Sequence, residues 1–264
     1  MGSLPLWAQA GLWGLLGGSA LVLGAALAYF VALPTRLVAG VMAFGSGVLI
    51  SAVAFELMDE ALRTGGFAAT ALGFVGGALA YTAANVYLSN RGARHRKRSG
   101  SDPRDRQPEA GSGEAAGGGA GLAIAVGALL DGVPESVVIG ASLLGGAGVG
   151  VATVAAVFLS NLPEGLSSAA GMRKAGRPAG YVFGVWGGIA LASAVAAALG
   201  NLLLAGAPPE AVAATNAVAA GAILAMIADT MIPEAFEATH DYAGLIVVLG
   251  FLAAFALTKL GGGG

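Results

Sequence analysis

The sequence contains no cysteine. This absence excludes disulfide bonds, thiolate metal sites and cysteine nucleophiles, and it leaves the redox compartment undetermined. Charge is also scarce: charged residues make up 11% of the 264 residues, whereas a soluble domain carries about 25%. Hydrophobic residues make up 56% and the mean hydropathy is +0.80. The composition therefore indicates an integral membrane protein with several spans, and the 45 glycines suit closely packed membrane helices.

Eight stretches are apolar over roughly 20 residues, the length that a helix needs to cross a bilayer. We place them at residues 10–33, 37–61, 66–90, 119–145, 147–171, 179–205, 211–235 and 242–260. The sequence thus predicts an all-α integral membrane protein with eight transmembrane helices. Residues 1–90 would hold helices 1–3 and residues 119–260 helices 4–8. Between them, residues 91–118 begin basic and continue rich in Gly, Ser and Pro, which predicts a flexible loop. Residues 261–264 form a glycine tail without a role.

The basic residues are distributed unevenly among the connections between spans. Of the 13 Lys and Arg residues, all but Arg63 and Lys259 lie in the first, third and fifth connections. By the positive-inside rule these connections are cytoplasmic, so both termini lie outside and the 91–118 loop lies inside. The first apolar run has its positive charge, Arg36, after it and not before it, so we interpret it as a true span. The basic start of the loop could contact anionic lipid headgroups.

Apart from Asp59 and Glu60 at the outer end of span 2, six carboxylates lie within these spans, while no Lys, Arg or His lies in a span interior. They are Glu56, Asp131, Glu135, Glu164, Asp229 and Glu234. A charge at the centre of a bilayer costs about 2.5–3.5 kcal/mol on insertion scales. These residues are therefore either protonated, or they face a water-filled pathway and bind an external cation. The predicted orientation places the first toward the outer surface, the next three near the midplane and the last two toward the cytoplasm.

Two stretches place oxygen-bearing side chains on one helix face near the midplane. They are Asp131-Gly-Val-Pro-Glu135 in span 4 and Ser160-Asn161-Leu-Pro-Glu164 in span 5. Residues four apart share a helix face, and the proline before each glutamate loosens the helix and can free a carbonyl. Spans 4 and 5 are antiparallel, so matching motifs at one depth suggest an inverted repeat. Interrupted helices at corresponding positions are typical of secondary transporters.

These features resemble the ZIP (Zrt/Irt-like) family of divalent metal transporters, in particular its prokaryotic GufA-like branch. The most specific stretches are SNLPEGLSSA, DGVPES and ADTMIPEA, which begin at Ser160, Asp131 and Ala228. The resemblance implies a 3+2+3 inverted repeat, a metal pathway lined by spans 2, 4, 5 and 7, and a central site on spans 4 and 5. It also implies movement of a transport bundle relative to a scaffold, commonly a homodimer, and a location in the inner membrane of a prokaryote.

The match to the family's metal ligands is partial. Glu135 and Glu164 match its central glutamates, and Asn161 keeps a polar position. Asp131 stands where the family usually has histidine, and Ser160 where it has histidine or glutamine. Residues 181–205 lack the acid that some members carry in span 6, so we expect a single metal. The expected site residues are Asp131, Glu135, Ser160, Asn161, Glu164, Asp229, Glu56 and Glu234.

The expected function is transport of divalent cations toward the cytoplasm, not enzymatic catalysis. An all-oxygen site suits a divalent ion and tolerates hard ones; we expect zinc first, with iron, manganese and cadmium as further candidates. The metal is the substrate, and neither an organic cofactor nor nucleic acid is expected. Two alternatives stay open: a transport-inactive homologue that senses metal or serves as a scaffold, and an intramembrane acid protease. Without histidine in the spans, metalloprotease and Ser/His protease mechanisms are close to excluded.

Overall fold

The structure, a computed structural model, describes residues 4–90, 114–145 and 151–261. The described residues are almost entirely helical and contain no β-strand, which confirms the all-α class. The α-helices are α1 (Leu6–Phe30), α2 (Thr35–Ala52), α3 (Met58–Leu88), α4 (Glu114–Ser142), α5 (Val151–Lys174), α6 (Ala179–Leu204), α7 (Pro209–Met226), α8 (Ile232–Thr239) and α9 (Ala243–Gly261). Two π-helical segments, π1 (Val53–Leu57) and π2 (Ile227–Met231), join α2 to α3 and α7 to α8.

Four stretches of the described chain are long and apolar enough to cross a membrane. They are Leu6–Phe30, Thr35–Leu88, Ala179–Leu204 and Pro209–Lys259. The second and fourth have 54 and 51 residues, so each would measure roughly 80 Å as a straight helix, more than twice a hydrocarbon core of about 30 Å. Helices α4 and α5, which correspond to the predicted spans 4 and 5, are not among these four stretches of the described residues.

Both long stretches fold back on themselves at one non-helical residue. Gly66 has φ 71° and ψ 172°, a conformation that favours glycine, and residues on both sides of it line the same cleft. His240 has φ 44° and ψ −117°, and Ile246 beyond it packs against the cluster that contains Met231. Each stretch is therefore a pair of helical arms.

The prolines of the two motifs lie within continuous helices. Pro134 and Pro163 lie inside α4 and α5, which continue through them, because tertiary packing can hold a helix that has lost one hydrogen bond. The widened turns occur instead in π1 and π2. The loop predicted for residues 91–118 ends earlier than expected, because α4 begins at Glu114. Its residues 91–113, like tail residues 262–264, lie outside the described part of the chain.

The helices pack as two groups, which we name group A and group B. Group A contains α1, α4, α5 and α6, with α1 against α5 and α6, and α4 against α6. Group B contains α2, α3, α7, α8 and α9, with α3 against α7 and α2 against α9. The two groups meet mainly where α2 crosses α5 and where α4 lies beside α7 and α3. The interface between the groups is therefore formed by the helices that carry the candidate acids.

The direction of each helix follows from the residues that touch. In group A, Gly17 of α1 lies at Val157 of α5, and Gly24 lies at Leu162, so the two helices are parallel. The same comparison makes α2 parallel to α9, α3 parallel to α7 and α4 parallel to α6. It makes α1 antiparallel to α6 and α2 antiparallel to α5. The helix packing also has an internal symmetry. The main helix pairs stay in contact if α1 and α6 trade places and likewise α2 and α7, α3 and α9, and α4 and α5.

Close approach between α1 and α5 fixes the helix segment that carries the second motif. A Cβ atom at Gly165, next to Glu164, would overlap the carbonyl of Leu21. Small residues at such crossings let membrane helices approach backbone to backbone. The position of Glu164 is therefore set by α1 packing as well as by its own helix.

Candidate metal site

Both predicted motifs lie inside the helix bundle. Asp131 and Glu135 on α4, and Ser160, Asn161 and Glu164 on α5, are each at most 3% exposed. Polar groups at such positions are costly unless they are hydrogen-bonded or bind a cation. These side chains therefore face protein rather than lipid.

Asp131, on a helix of group A, accepts a hydrogen bond from a helix of group B. The hydroxyl of Tyr81 on α3 donates to Oδ1 of Asp131 at 2.7 Å, and Tyr81 is itself buried. A donor of this kind orients the carboxylate. Sequence reasoning missed Tyr81 because span 3 lies outside the pathway that the resemblance implies.

The two polar residues at the start of the α5 motif bond differently. Nδ2 of Asn161 donates to the carbonyl of Gly17 on α1 at 3.0 Å. The Oδ1 atom of the same amide is buried and has no hydrogen-bond partner among the described residues. The hydroxyl of Ser160 donates to the Val157 carbonyl of its own helix at 2.9 Å. Because an unsatisfied buried acceptor costs about 1–3 kcal/mol, Asn161 offers the better oxygen ligand of the two.

Glu56 connects three helices at one end of the group interface. Its Oε2 accepts a hydrogen bond from Thr153 of α5 at 2.6 Å, and its Oε1 accepts one from Thr258 of α9 at 2.9 Å. The side chain is half-buried. Glu56 is therefore bonded within the bundle and is not simply a solvated residue at its rim.

Glu234 occupies a comparable place near the other end of α5. Its Oε1 accepts a hydrogen bond from the hydroxyl of Ser167 at 2.6 Å, and both side chains are buried. Asp229 in π2 is different, because it is exposed. Among the eight candidates, Asp229 is the one that lies on the surface of the described structure.

The hydroxyl groups of α5 follow a regular spacing that was not recognised in the sequence. Thr153, Ser160 and Ser167 are seven residues apart, a spacing that keeps them on nearly the same helix face. The first and last of them donate to carboxylates of group B, and the middle one lies where Gly45 of α2 approaches α5. A search for this spacing in polar residues of apolar spans would have found two of the missed partners.

Direct contact between α4 and α5 is slight, since each packs chiefly on other helices. Within residues 4–90, 114–145 and 151–261, no three acidic or histidine side chains converge with the spacing of a metal site. Joint coordination of one ion by Glu135 and Glu164 therefore stays a prediction.

No model of a known protein family matches the chain, and no characterised protein matches it in sequence. The resemblance to the ZIP family thus depends on the motifs themselves.

We expect Tyr81→Phe to lower the free energy of unfolding by about 1.5–3 kcal/mol, the usual contribution of a hydrogen bond to a charged group. The control is Tyr242→Phe, which removes the hydroxyl of a 70% exposed tyrosine. Thermal unfolding of the two purified variants in detergent measures the difference. Equal melting temperatures would contradict a structural role for the bond between Tyr81 and Asp131.

Proposed function

We propose that the protein is a multi-pass membrane transporter that moves divalent metal cations toward the cytoplasm. The observation that carries the proposal is the pair of buried motifs, Asp131/Glu135 on α4 and Ser160/Glu164 on α5. Buried carboxylates in apolar spans mark ion pathways, and no Lys, Arg or His lies in the interior of the predicted spans. An external cation is the partner that balances such a charge.

Eight crossings, which put both termini on one side of the membrane, account for the helix directions, and the positive-inside rule makes that side the outside. The two long stretches each supply two arms, and helices of odd-numbered crossings run parallel to one another, as do those of even-numbered crossings. The exchange that preserves the helix contacts pairs the first three crossings with the last three. This pattern supports the 3+2+3 inverted repeat, in which transporters bind substrate near the midplane.

The pathway proposed here follows the interface between group A and group B. The carboxylates of Glu56, Asp131 and Glu234 each accept a hydrogen bond from a hydroxyl on a helix of the opposite group. A hydroxyl that donates to a charged group contributes only about 1.5–3 kcal/mol, so a divalent cation competes with it for the carboxylate. The acids can therefore pass an ion along the interface without binding it too tightly to leave.

The ligand types favour a borderline or hard divalent ion. Carboxylate, amide and hydroxyl oxygens suit Mn²⁺ and Fe²⁺, and zinc also binds carboxylates. We therefore propose zinc as the first substrate, with iron, manganese and cadmium as further ones. Since the interior lacks thiolate and imidazole, discrimination among these ions should be weaker than at a histidine site.

Transport in proteoliposomes tests the proposal. We expect the wild type to take up Zn²⁺. Glu135→Gln and Glu164→Gln should each lower the initial uptake rate by about tenfold or more, because a tenfold change needs a rise of only about 1.4 kcal/mol in the activation free energy. Glu210→Gln is the matched control, because Glu210 is an exposed acid in the first turn of α7. Its rate should equal that of the wild type.

Two outcomes of the uptake assay would contradict the account. Absence of flux for Zn²⁺, Mn²⁺, Fe²⁺ and Cd²⁺ above empty vesicles would reject transport and favour the metal-sensing or scaffold alternative. Flux that survives the double substitution Glu135→Gln/Glu164→Gln would reject these two residues as the site.

The cysteine-free sequence allows a direct test of the topology. We expect Thr64→Cys, at the exposed turn before Gly66, to react with a membrane-impermeant maleimide in intact cells. Ser101→Cys, in the predicted cytoplasmic loop, should react only after permeabilisation. The basic residues of that loop hold it inside, so the opposite labelling pattern would reverse the orientation.

A further inference from the structure

A cleft of about 490 Å³ opens between the two arms of the chain that meet at Gly66. Its walls carry the rings of Phe55, Phe67 and Phe74. Thr70 also lines it, but its hydroxyl donates to the Gly66 carbonyl at 2.8 Å, so its polar group is already satisfied. The cleft is therefore apolar, and its volume falls in the range of about 300–1,000 Å³ that holds small-molecule ligands.

The architecture keeps this cleft open. The arm before Gly66 comprises α2, π1 and the start of α3, and its α2 part packs on α9, while the arm after Gly66 packs on α7. Each arm would therefore have to leave its own partner to close on the other. Phe67, at the start of the second arm, is 79% exposed. In a bilayer an exposed ring of this kind contacts lipid chains, so the space beside it fills with hydrocarbon and not with water.

Asp59 lines the cleft at the end that we call its mouth, and charged residues of both signs lie next to it. Nη2 of Arg63 lies 3.3 Å from Oδ2 of Asp59 and 3.5 Å from Oε2 of Glu60. The ammonium of Lys259 lies 5.9 Å from the centre of the Phe55 ring. Because such charges avoid the hydrocarbon core, the mouth belongs at the membrane interface and the cleft runs inward from it.

We propose that the cleft binds an acyl chain of a zwitterionic aminophospholipid, such as phosphatidylethanolamine. The headgroup ammonium would interact with Asp59 and Glu60, and the phosphate with Arg63 or Lys259. A lipid with a phosphate and no ammonium would face the same two carboxylates without compensation. The mouth, with two acids and two bases, therefore complements a headgroup that carries both charges.

The lipid site is independent of the proposed metal pathway. The π1 segment presents Phe55 to the cleft and Glu56 to Thr153 and Thr258 on α5 and α9. Lipid binding can therefore be measured without metal and without transport. A failure of the transport assay leaves the lipid proposal standing, and the reverse also holds.

Photoreactive lipids test the site in nanodiscs that hold the full chain. Phosphatidylethanolamine and phosphatidylglycerol, each with a diazirine in the acyl chain, are cross-linked separately, and adducts are located by peptide mass spectrometry. We expect adducts within residues 54–75, with phosphatidylethanolamine labelling about fivefold above phosphatidylglycerol, a ratio that corresponds to roughly 1 kcal/mol. Ala71→Trp should abolish these adducts because the indole fills the cleft.

The matched control is Leu72→Trp, which adds the same ring at a neighbouring, 76% exposed residue that does not line the cleft. Labelling should persist in this variant. The double variant Asp59→Asn/Glu60→Gln keeps the apolar walls and should lose the preference between headgroups, so it decides the matter even if Ala71→Trp fails to fold. Adducts spread equally over the Leu72 face, equal labelling by both lipids, or protein–protein cross-links through the cleft in place of lipid adducts would each overturn the proposal.

Discussion

The rest of the structure depends on hydrogen bonds that cross the interface between the two helix groups. In each of them a hydroxyl donates to a buried or half-buried carboxylate. Their donor and acceptor pairs are Tyr81 and Asp131, Thr153 and Glu56, and Ser167 and Glu234. Apolar packing between membrane helices is weakly directional, because lipid chains are as apolar as the side chains they replace. These polar pairs have a fixed geometry and therefore determine which register of group A against group B is stable. If the two groups move relative to each other, these hydrogen bonds must break and others must form.

The same bonds connect the fold to its proposed chemistry. Each carboxylate accepts a hydrogen bond from a neutral hydroxyl, which stabilises the protein without neutralising the negative charge that attracts cations. The unsatisfied Oδ1 of Asn161 adds a further oxygen on α5. Folding and ion binding thus use the same oxygens, and an entering cation would loosen the contacts that fix the two groups.

Features that depend on local composition, such as the helices, could be predicted from the sequence. Hydrogen bonds that depend on which helices meet in the fold could not. The apolar runs predict helices, and the fold-back at Gly66 falls where span 3 was predicted to begin, because charge and glycine mark the turn. Tyr81 and Asp131 are 50 residues apart, and Glu56 and Thr258 are 202 apart, so no local pattern pairs them. Pro134 and Pro163 lie inside helices that continue through them, whereas the wider turns in π1 and π2 were not predicted, because they depend on how α2, α3, α7 and α8 pack.

The central claim is that Glu135 of α4 and Glu164 of α5 bind one ion between them. The most direct measurement is anomalous X-ray diffraction from crystals grown with Cd²⁺, a heavy substitute for zinc. The account predicts an anomalous peak within about 2.0–2.6 Å of a carboxylate oxygen of each glutamate, with Asp131 or Asn161 beside it. A protein that takes up Cd²⁺ but shows its peaks only at surface acids such as Asp229 would contradict it.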